Sequence, residues 1–148
     1  MEKKIHSQKS LVICNDKSKI LYVSPLFCGK THDYAIFKDV FPFAKTSFQE
    51  QEVWVDLGFI GIQKDYTLEN LHIPHKKKRV KKGEDNALTE EQKAENKVIS
   101  SQRIGVEPSI GKIKRCRILQ QTLRIKKQDI LEKLVGIAAS LANFRNHK

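Results

Sequence analysis

Residues 96–119 read NKVISSQRIGVEPSIGKIKRCRIL, and how this stretch folds decides what the chain is built for. In helical register Arg103, Glu107, Gly111 and Lys114 fall at i, i+4, i+8 and i+11, roughly one stripe. A carboxylate flanked on its own face by Arg and Lys suits phosphate chemistry. In that reading the acid would bind a hard metal ion while the cations steady the DNA backbone. The same residues also read as a plain surface Arg–Glu pair, worth about 0.3–0.5 kcal/mol. Gly105 and Pro108 interrupt the pattern. Pro108 removes one helix hydrogen bond and disfavours α geometry at Glu107, unless the helix restarts with Pro108 at its first position.

Working outward, Thr89-Glu-Glu-Gln92 is a capping-box pattern that opens the helical region after Ala87. A last helix spans about Gln128 to Asn143, with Ile130, Leu131, Leu134, Ile137, Ala138 and Leu141 on one face. Toward the N-terminus the signals change to strands. Ser10–Cys14 and Ile20–Val23 are β-rich runs joined by the turn Asn15–Ser18, which predicts a hairpin over residues 8–25. Thr31 is the expected N-cap of a helix through about Val40, with Asp33 in its first turn. Glu52-Val-Trp-Val-Asp56 reads as a strand that ends in Asp56 and runs into Leu57-Gly58-Phe59. Leu71–Pro74 reads as another short strand. A carboxylate at a strand end can project from the sheet edge, or it can serve as a helix cap or turn residue. Strands first and helices later make an α/β (α+β) domain with one mixed sheet.

At 148 residues the chain has the length of one domain, residues 1–148. With 30% charged residues and no apolar run near the ~20 a membrane helix needs, an integral membrane protein is excluded. The polar start MEKKIHSQKS lacks the apolar core of a signal peptide, so the cytoplasm is the expected compartment. Cys14, Cys28 and Cys116 form no CxxC pair; they read as small buried hydrophobes in a reducing environment, not as a zinc site.

The net charge of +11 is one-sided. Residues 1–75 hold nine Lys/Arg and nine Asp/Glu, while residues 76–148 hold 19 against 8, which is the whole excess. Charge of this kind points to a polyanion, because each neutralised phosphate releases counterions; a solvated basic tail is the other reading. The run Lys76–Lys82 has six Lys/Arg in seven positions and lies in a predicted flexible loop, residues 75–86. Lys76, Lys77, Lys78 and Arg79 either grip DNA from that loop or belong to a solvated insertion.

Four groups of residues carry a family likeness when taken in order: Gly29-Lys-Thr-His-Asp33, Trp54-Val-Asp-Leu-Gly-Phe59, Ile73-Pro-His-Lys-Lys77, and Asn96 with Ser101–Glu107 and Gly111–Arg115. Together they resemble DDE-superfamily insertion-sequence transposases, in the group whose second Asp is followed by one residue and Gly-Tyr or Gly-Phe. Leu141-Ala-Asn143 is similar to that group's Leu-x-Asn ending. The resemblance implies a ribonuclease-H-like fold in which two Asp and one Glu surround two divalent metals, Mg²⁺ or Mn²⁺. Asp56 is then the second acid and Glu107 the third, each a metal ligand. Such metals activate water or a 3′-hydroxyl and stabilise the leaving oxygen during DNA strand cleavage and transfer. Arg103 and Lys114 would contact DNA at the transposon end. The family's Tyr three residues before the Arg is Ser100 here. His32 and Asp33 match a His-Asp pair for which a helix-start role is expected.

The family's first acid lies on the first strand, upstream of the part that matches Lys3–Val12, and Asp16 sits in the hairpin turn and is no substitute. The expectation is a fold truncated at its N-terminus, either a remnant or the downstream part of a frameshifted transposase, and inactive alone. Its expected partners are DNA, an upstream transposase segment and a second copy in a homodimer, with no membrane and with nucleoid association. The rival expectation is a non-catalytic basic nucleic-acid-binding protein. A basic ribosome-associated protein would explain the charge but not the order of the motifs.

Overall fold

Val12–Cys14 and Ile20–Val23 are the β-branched and aromatic runs that favour extension, and they pair as predicted. In the computed structural model the strands β1 (Gln8–Lys9), β2 (Val12–Cys14), β3 (Ile20–Val23) and β4 (Phe27–Cys28) make one antiparallel hairpin with a gap in its ladder. The register sets Gln8 opposite Cys28 and Val12 opposite Val23, with an irregularity between Ile13 and Cys14. Asn15 closes the turn twice: its N–H donates to the Lys19 carbonyl (3.0 Å) and its Oδ1 accepts from the Lys19 N–H (2.8 Å). Ser18 takes the left-handed φ of 58° that this tight reversal requires.

The gap has a chemical cause. Pro25 carries no N–H, so the ladder cannot pass through it. Two serines fill the space. Ser24 Oγ accepts from the Leu11 N–H (2.8 Å) and donates to the Pro25 carbonyl (2.8 Å), and Ser10 Oγ donates to the Ser24 carbonyl (2.7 Å). At the mouth of the hairpin the Gly29 N–H donates to the Ser7 carbonyl at 2.8 Å. A Cβ at Gly29 would come within 2.1 Å of Ser7 Oγ and 2.8 Å of the Ser7 carbonyl oxygen, so only glycine fits this approach.

The structure describes residues 7–42, 48, 50–77, 87–119, 121 and 127–145, in two compact units. The hairpin belongs to the first, Met1–Ile36 with Ile104–Lys148; the second is Phe37–Arg103. Helices α4 (Val106–Lys114) and α5 (Gln128–Phe144) cover the hairpin, burying Ile20, Ile113, Ala138, Ala139 and Ala142 beside Val12, Cys14, Val23, Cys116 and Leu119. The face of α5 matches in part the one its sequence predicts. Ala138 is buried and Leu131 and Leu134 are half-buried, but Ile137 and Leu141 are 57% and 48% exposed, and Ala139 and Ala142 are buried in their place. Small side chains win here because α5 hydrogen-bonds the hairpin backbone directly, which requires close approach. Asn143 Oδ1 accepts from the Ile20 N–H and its Nδ2 donates to the Ile20 carbonyl, both at 2.8 Å. At the other end of the helix Glu132 accepts from the Leu26 N–H (3.1 Å) and Gln128 donates to the Leu26 carbonyl (3.0 Å).

Helix α1 (Asp33–Val40) starts one residue later than Thr31 would set it. His32 is the residue before the helix, and its Nδ1 accepts from the Tyr34 N–H at 3.3 Å. Asp33 pairs with Lys9 at 3.0 Å. The helix-start role expected of His32 and Asp33 is the one they have.

In the second unit β5 (Val53–Trp54) pairs in parallel with β6 (Leu71–His72). Between these strands come a 3₁₀ turn, Leu57–Phe59, and α2 (Ile62–Asp65), which follows Gly61 at a φ of 109°. Phe37 gathers the core, with Phe41 and Tyr66 each at 5.2 Å, Phe59 at 6.1 Å and Phe48 at 6.2 Å between ring centroids. Tyr66 is buried and donates its hydroxyl to the Phe41 carbonyl at 3.0 Å. Helix α3 (Glu90–Arg103) opens with the capping box its sequence predicts: Thr89 Oγ1 accepts from the Gln92 N–H, and Gln92 Oε1 accepts from the Thr89 N–H, both at 3.2 Å.

The fold is therefore a mixed one of helices and small sheets, consistent with α+β. Among the described residues the strands pair as three two-stranded ladders, two antiparallel and one parallel, where one mixed sheet is expected. Strands of two to four residues and the break at Pro25 account for the difference. Among the described residues no helix is long and apolar enough to cross a membrane.

Candidate functional site

The strand β5 is apolar up to Val55, whose N–H still donates to the His72 carbonyl at 3.1 Å. Asp56 is the first residue beyond that ladder. Its Oδ1 accepts from the Leu57 N–H at 2.6 Å and caps the 3₁₀ turn, which brings Phe59 back against Phe37. Asp56 is thus a cap, one of the two roles its sequence allows, and the turn holds its carboxylate outward.

The partner of that carboxylate is Arg103, the last residue of α3. The guanidinium meets both oxygens, with one N–H on Oδ1 at 3.3 Å and the second terminal nitrogen 3.2 Å from Oδ2. The geometry is the two-pronged one to which a guanidinium is suited. The pair is open to water, with the Arg103 side chain 30% and the Asp56 side chain 57% exposed.

On the β5–β6 ladder lies a feature that the sequence does not announce. Trp54 and His72, opposite each other across β5 and β6, stack at 3.7 Å with 10° between their planes. Among the described residues, His72 Nε2 is buried without a hydrogen-bond partner. Trp54 lies two residues before Asp56, and that period-2 spacing was the available signal; the pairing with His72 depends on register.

The other predicted site residues are placed as follows. Arg103 ends α3 and Val106 begins α4, so no single helix carries Arg103, Glu107, Gly111 and Lys114. Glu107 and Lys114 are exposed on α4, in the first unit, while Asp56 and Arg103 belong to the second. Pro108 is the third residue of α4, not its first. It lies within the first turn, where its missing N–H would have had no helical partner, so Glu107 keeps helical geometry. Next to it, Ser109 is fully buried and donates to the Ser18 carbonyl at 2.8 Å, tying α4 to the hairpin turn.

Lys76 and Lys77 are exposed. Lys78 and Arg79, with the rest of the loop through residue 86, lie outside the described residues. The root of the basic run is fixed: Asn96 Oδ1 accepts from the His75 N–H (2.7 Å), Asn96 Nδ2 donates to the His75 carbonyl (3.1 Å), and the His75 ring meets Glu95. The three cysteines are free thiols. Burial pushes the Cys14 thiol above its ordinary value of 9.0, against the lowering effect of a hydrogen bond with Ser109. Among the described residues no group of three His, Cys, Asp or Glu side chains is placed to hold a metal ion.

No curated protein and no solved structure matches the chain. A family model does. It is that of the DDE superfamily endonucleases, and it matches residues 1–143, a span that includes the strand-ending Asp56, the fork from Arg103, Glu107 on α4 and the Asn143 clamp. By that match over nearly its whole length, the chain belongs to the DDE superfamily endonuclease family.

Proposed function

We propose that this protein is an insertion-sequence transposase domain, acting in DNA cleavage and strand transfer, with Asp56 and Glu107 as acidic residues of its chemistry. The family match over residues 1–143 carries the reading, since an endonuclease or transposase of this superfamily acts on DNA and generally uses divalent metal. The donor chemistry at Asp56 fits a hard cation. The carboxylate is more than half exposed and already draws a cationic group, the guanidinium of Arg103. In this reading Asp56 and Glu107 each hold Mg²⁺ or Mn²⁺. When bound, such ions activate the attacking oxygen and stabilise the leaving one.

The chain's own residues do the rest. The turn Leu57–Phe59 fixes the direction of the Asp56 carboxylate through the Leu57 N–H. Arg103, Lys114, Lys76, Lys77, Lys78 and Arg79 neutralise phosphates, and the Asn96–His75 clamp sets where the basic run begins. A ribonuclease-H-like arrangement, pairing as a homodimer, an upstream transposase segment and association with the nucleoid all belong to the same reading. Only two of the family's three acids have counterparts assigned in residues 1–148, so the polypeptide by itself is expected to be inactive in cleavage. A second reading, a basic nucleic-acid-binding protein without catalysis, is favoured by one observation: the entire +11 resides in residues 76–148.

One experiment separates the two. The affinity of the full chain for a labelled DNA duplex is measured by fluorescence anisotropy, in Mg²⁺ and in EDTA. The transposase reading expects tighter binding in Mg²⁺, with the gain lost in Asp56→Asn and Glu107→Gln. Affinity that ignores the metal and survives both substitutions would establish the second reading instead.

A further inference from the structure

Arg103 and Asp56 are both assigned to the site, but to different partners: the arginine to DNA phosphate and the acid to metal. The structure pairs them with each other. Both prongs of the guanidinium lie on the two oxygens of one carboxylate, at 3.3 and 3.2 Å. Neither residue has another ion-pair partner among the described residues. Arg103 is also the last residue of its helix.

We infer that Arg103 is an exchangeable counter-cation: it neutralises Asp56 while no metal is present and is released to a DNA phosphate when a divalent ion takes the carboxylate. This rests on the reading of Asp56 as a metal ligand. The physical case has two parts. A guanidinium and a divalent cation on the same carboxylate repel each other, so metal binding at Asp56 works against the Arg103 charge. The pair is also exposed, and exposed pairs hold only weakly, so it can be opened by a competing ion. The exchange makes metal and DNA mutually supportive. Metal at Asp56 frees the arginine, and a phosphate that captures the arginine clears the carboxylate. Such coupling must act equally in both directions.

The test is a Mn²⁺ titration of the full chain without DNA, followed by paramagnetic broadening of the Leu57 and Gly58 amide signals. In Arg103→Gln, half-broadening is expected at about fivefold lower Mn²⁺ than in the wild type. Arg103→Lys keeps the charge without the fork and is expected to fall between them. Asp56→Asn should show no broadening at these amides. Dispersed spectra elsewhere confirm that each variant is folded. The same half-broadening point in wild type and Arg103→Gln would overturn the exchange while leaving Asp56 a metal ligand. Absence of local broadening in both would overturn the metal reading of Asp56, and the exchange with it.

Discussion

Two asparagines do the same job in separate parts of the chain. Asn143 pairs its carboxamide with both backbone groups of Ile20, and Asn96 does so with His75. A carboxamide offers one acceptor and one donor side by side, which matches the N–H and C=O of a single extended residue. Aspartate keeps the acceptor and loses the donor, placing a negative oxygen against a carbonyl. Asn143→Asp is therefore expected to cost about 1–3 kcal/mol, read as a lower urea midpoint with unchanged slope. The sequence marks both residues only through family resemblance, because the Asn143 partner lies 123 positions away. The Cys14 thiol gives a second residue-scale prediction. Its folded pKa is raised, so the fold favours the protonated form. Its contribution is intact below the ordinary value of 9.0 and is lost as pH rises above it. Urea unfolding should show wild-type stability falling more as pH rises through and above 9.0 than it does in Cys14→Ala.

The elements differ in how far they could be read ahead. The capping box of α3 was legible to the residue, because both partners lie within one turn. The Asn15–Ser18 turn was equally local. The break between α3 and α4 falls at Gly105, one of the two interruptions read from the sequence, whereas Pro108, the other, sits inside the first turn of α4 without ending it. The face of α5 was legible at Leu131, Leu134 and Ala138 but not at Ile137 and Leu141, where hydrophobic size pointed one way and the clamp on Ile20 selected Ala139 and Ala142. At the candidate site the sequence identified Asp56 and Arg103 but could not pair them, as 47 positions separate them. Glycines supply the element-scale prediction. Gly111 lies on α4 with nothing within 4 Å of where a Cβ would be, so Gly111→Ala is expected to stabilise by about 0.4–1 kcal/mol. Gly29→Ala, whose Cβ would collide with Ser7, is expected to destabilise by about 1–3 kcal/mol. Thermal melts of the two variants should move in opposite directions.

Across the whole molecule, charge and chain order are the informative quantities. The basic excess is confined to residues 76–148, and the run Lys76–Arg79 contributes four of its cations. Replacing those four with Gln should flatten the dependence of log affinity on log salt by up to about 0.9 per lost phosphate contact on duplex DNA. An unchanged slope would show that the run does not touch the duplex. Chain order has a different outcome. The first unit joins residues 1–36 to residues 104–148, and the Ile20–Asn143 clamp bridges 123 positions of sequence. At about 5–20 residues per second of synthesis, the hairpin is made some 6–25 s before the helix that covers it leaves the ribosome. For that interval β3 has water where Asn143 will later sit, and the nascent chain depends on whatever shields that strand in the cell.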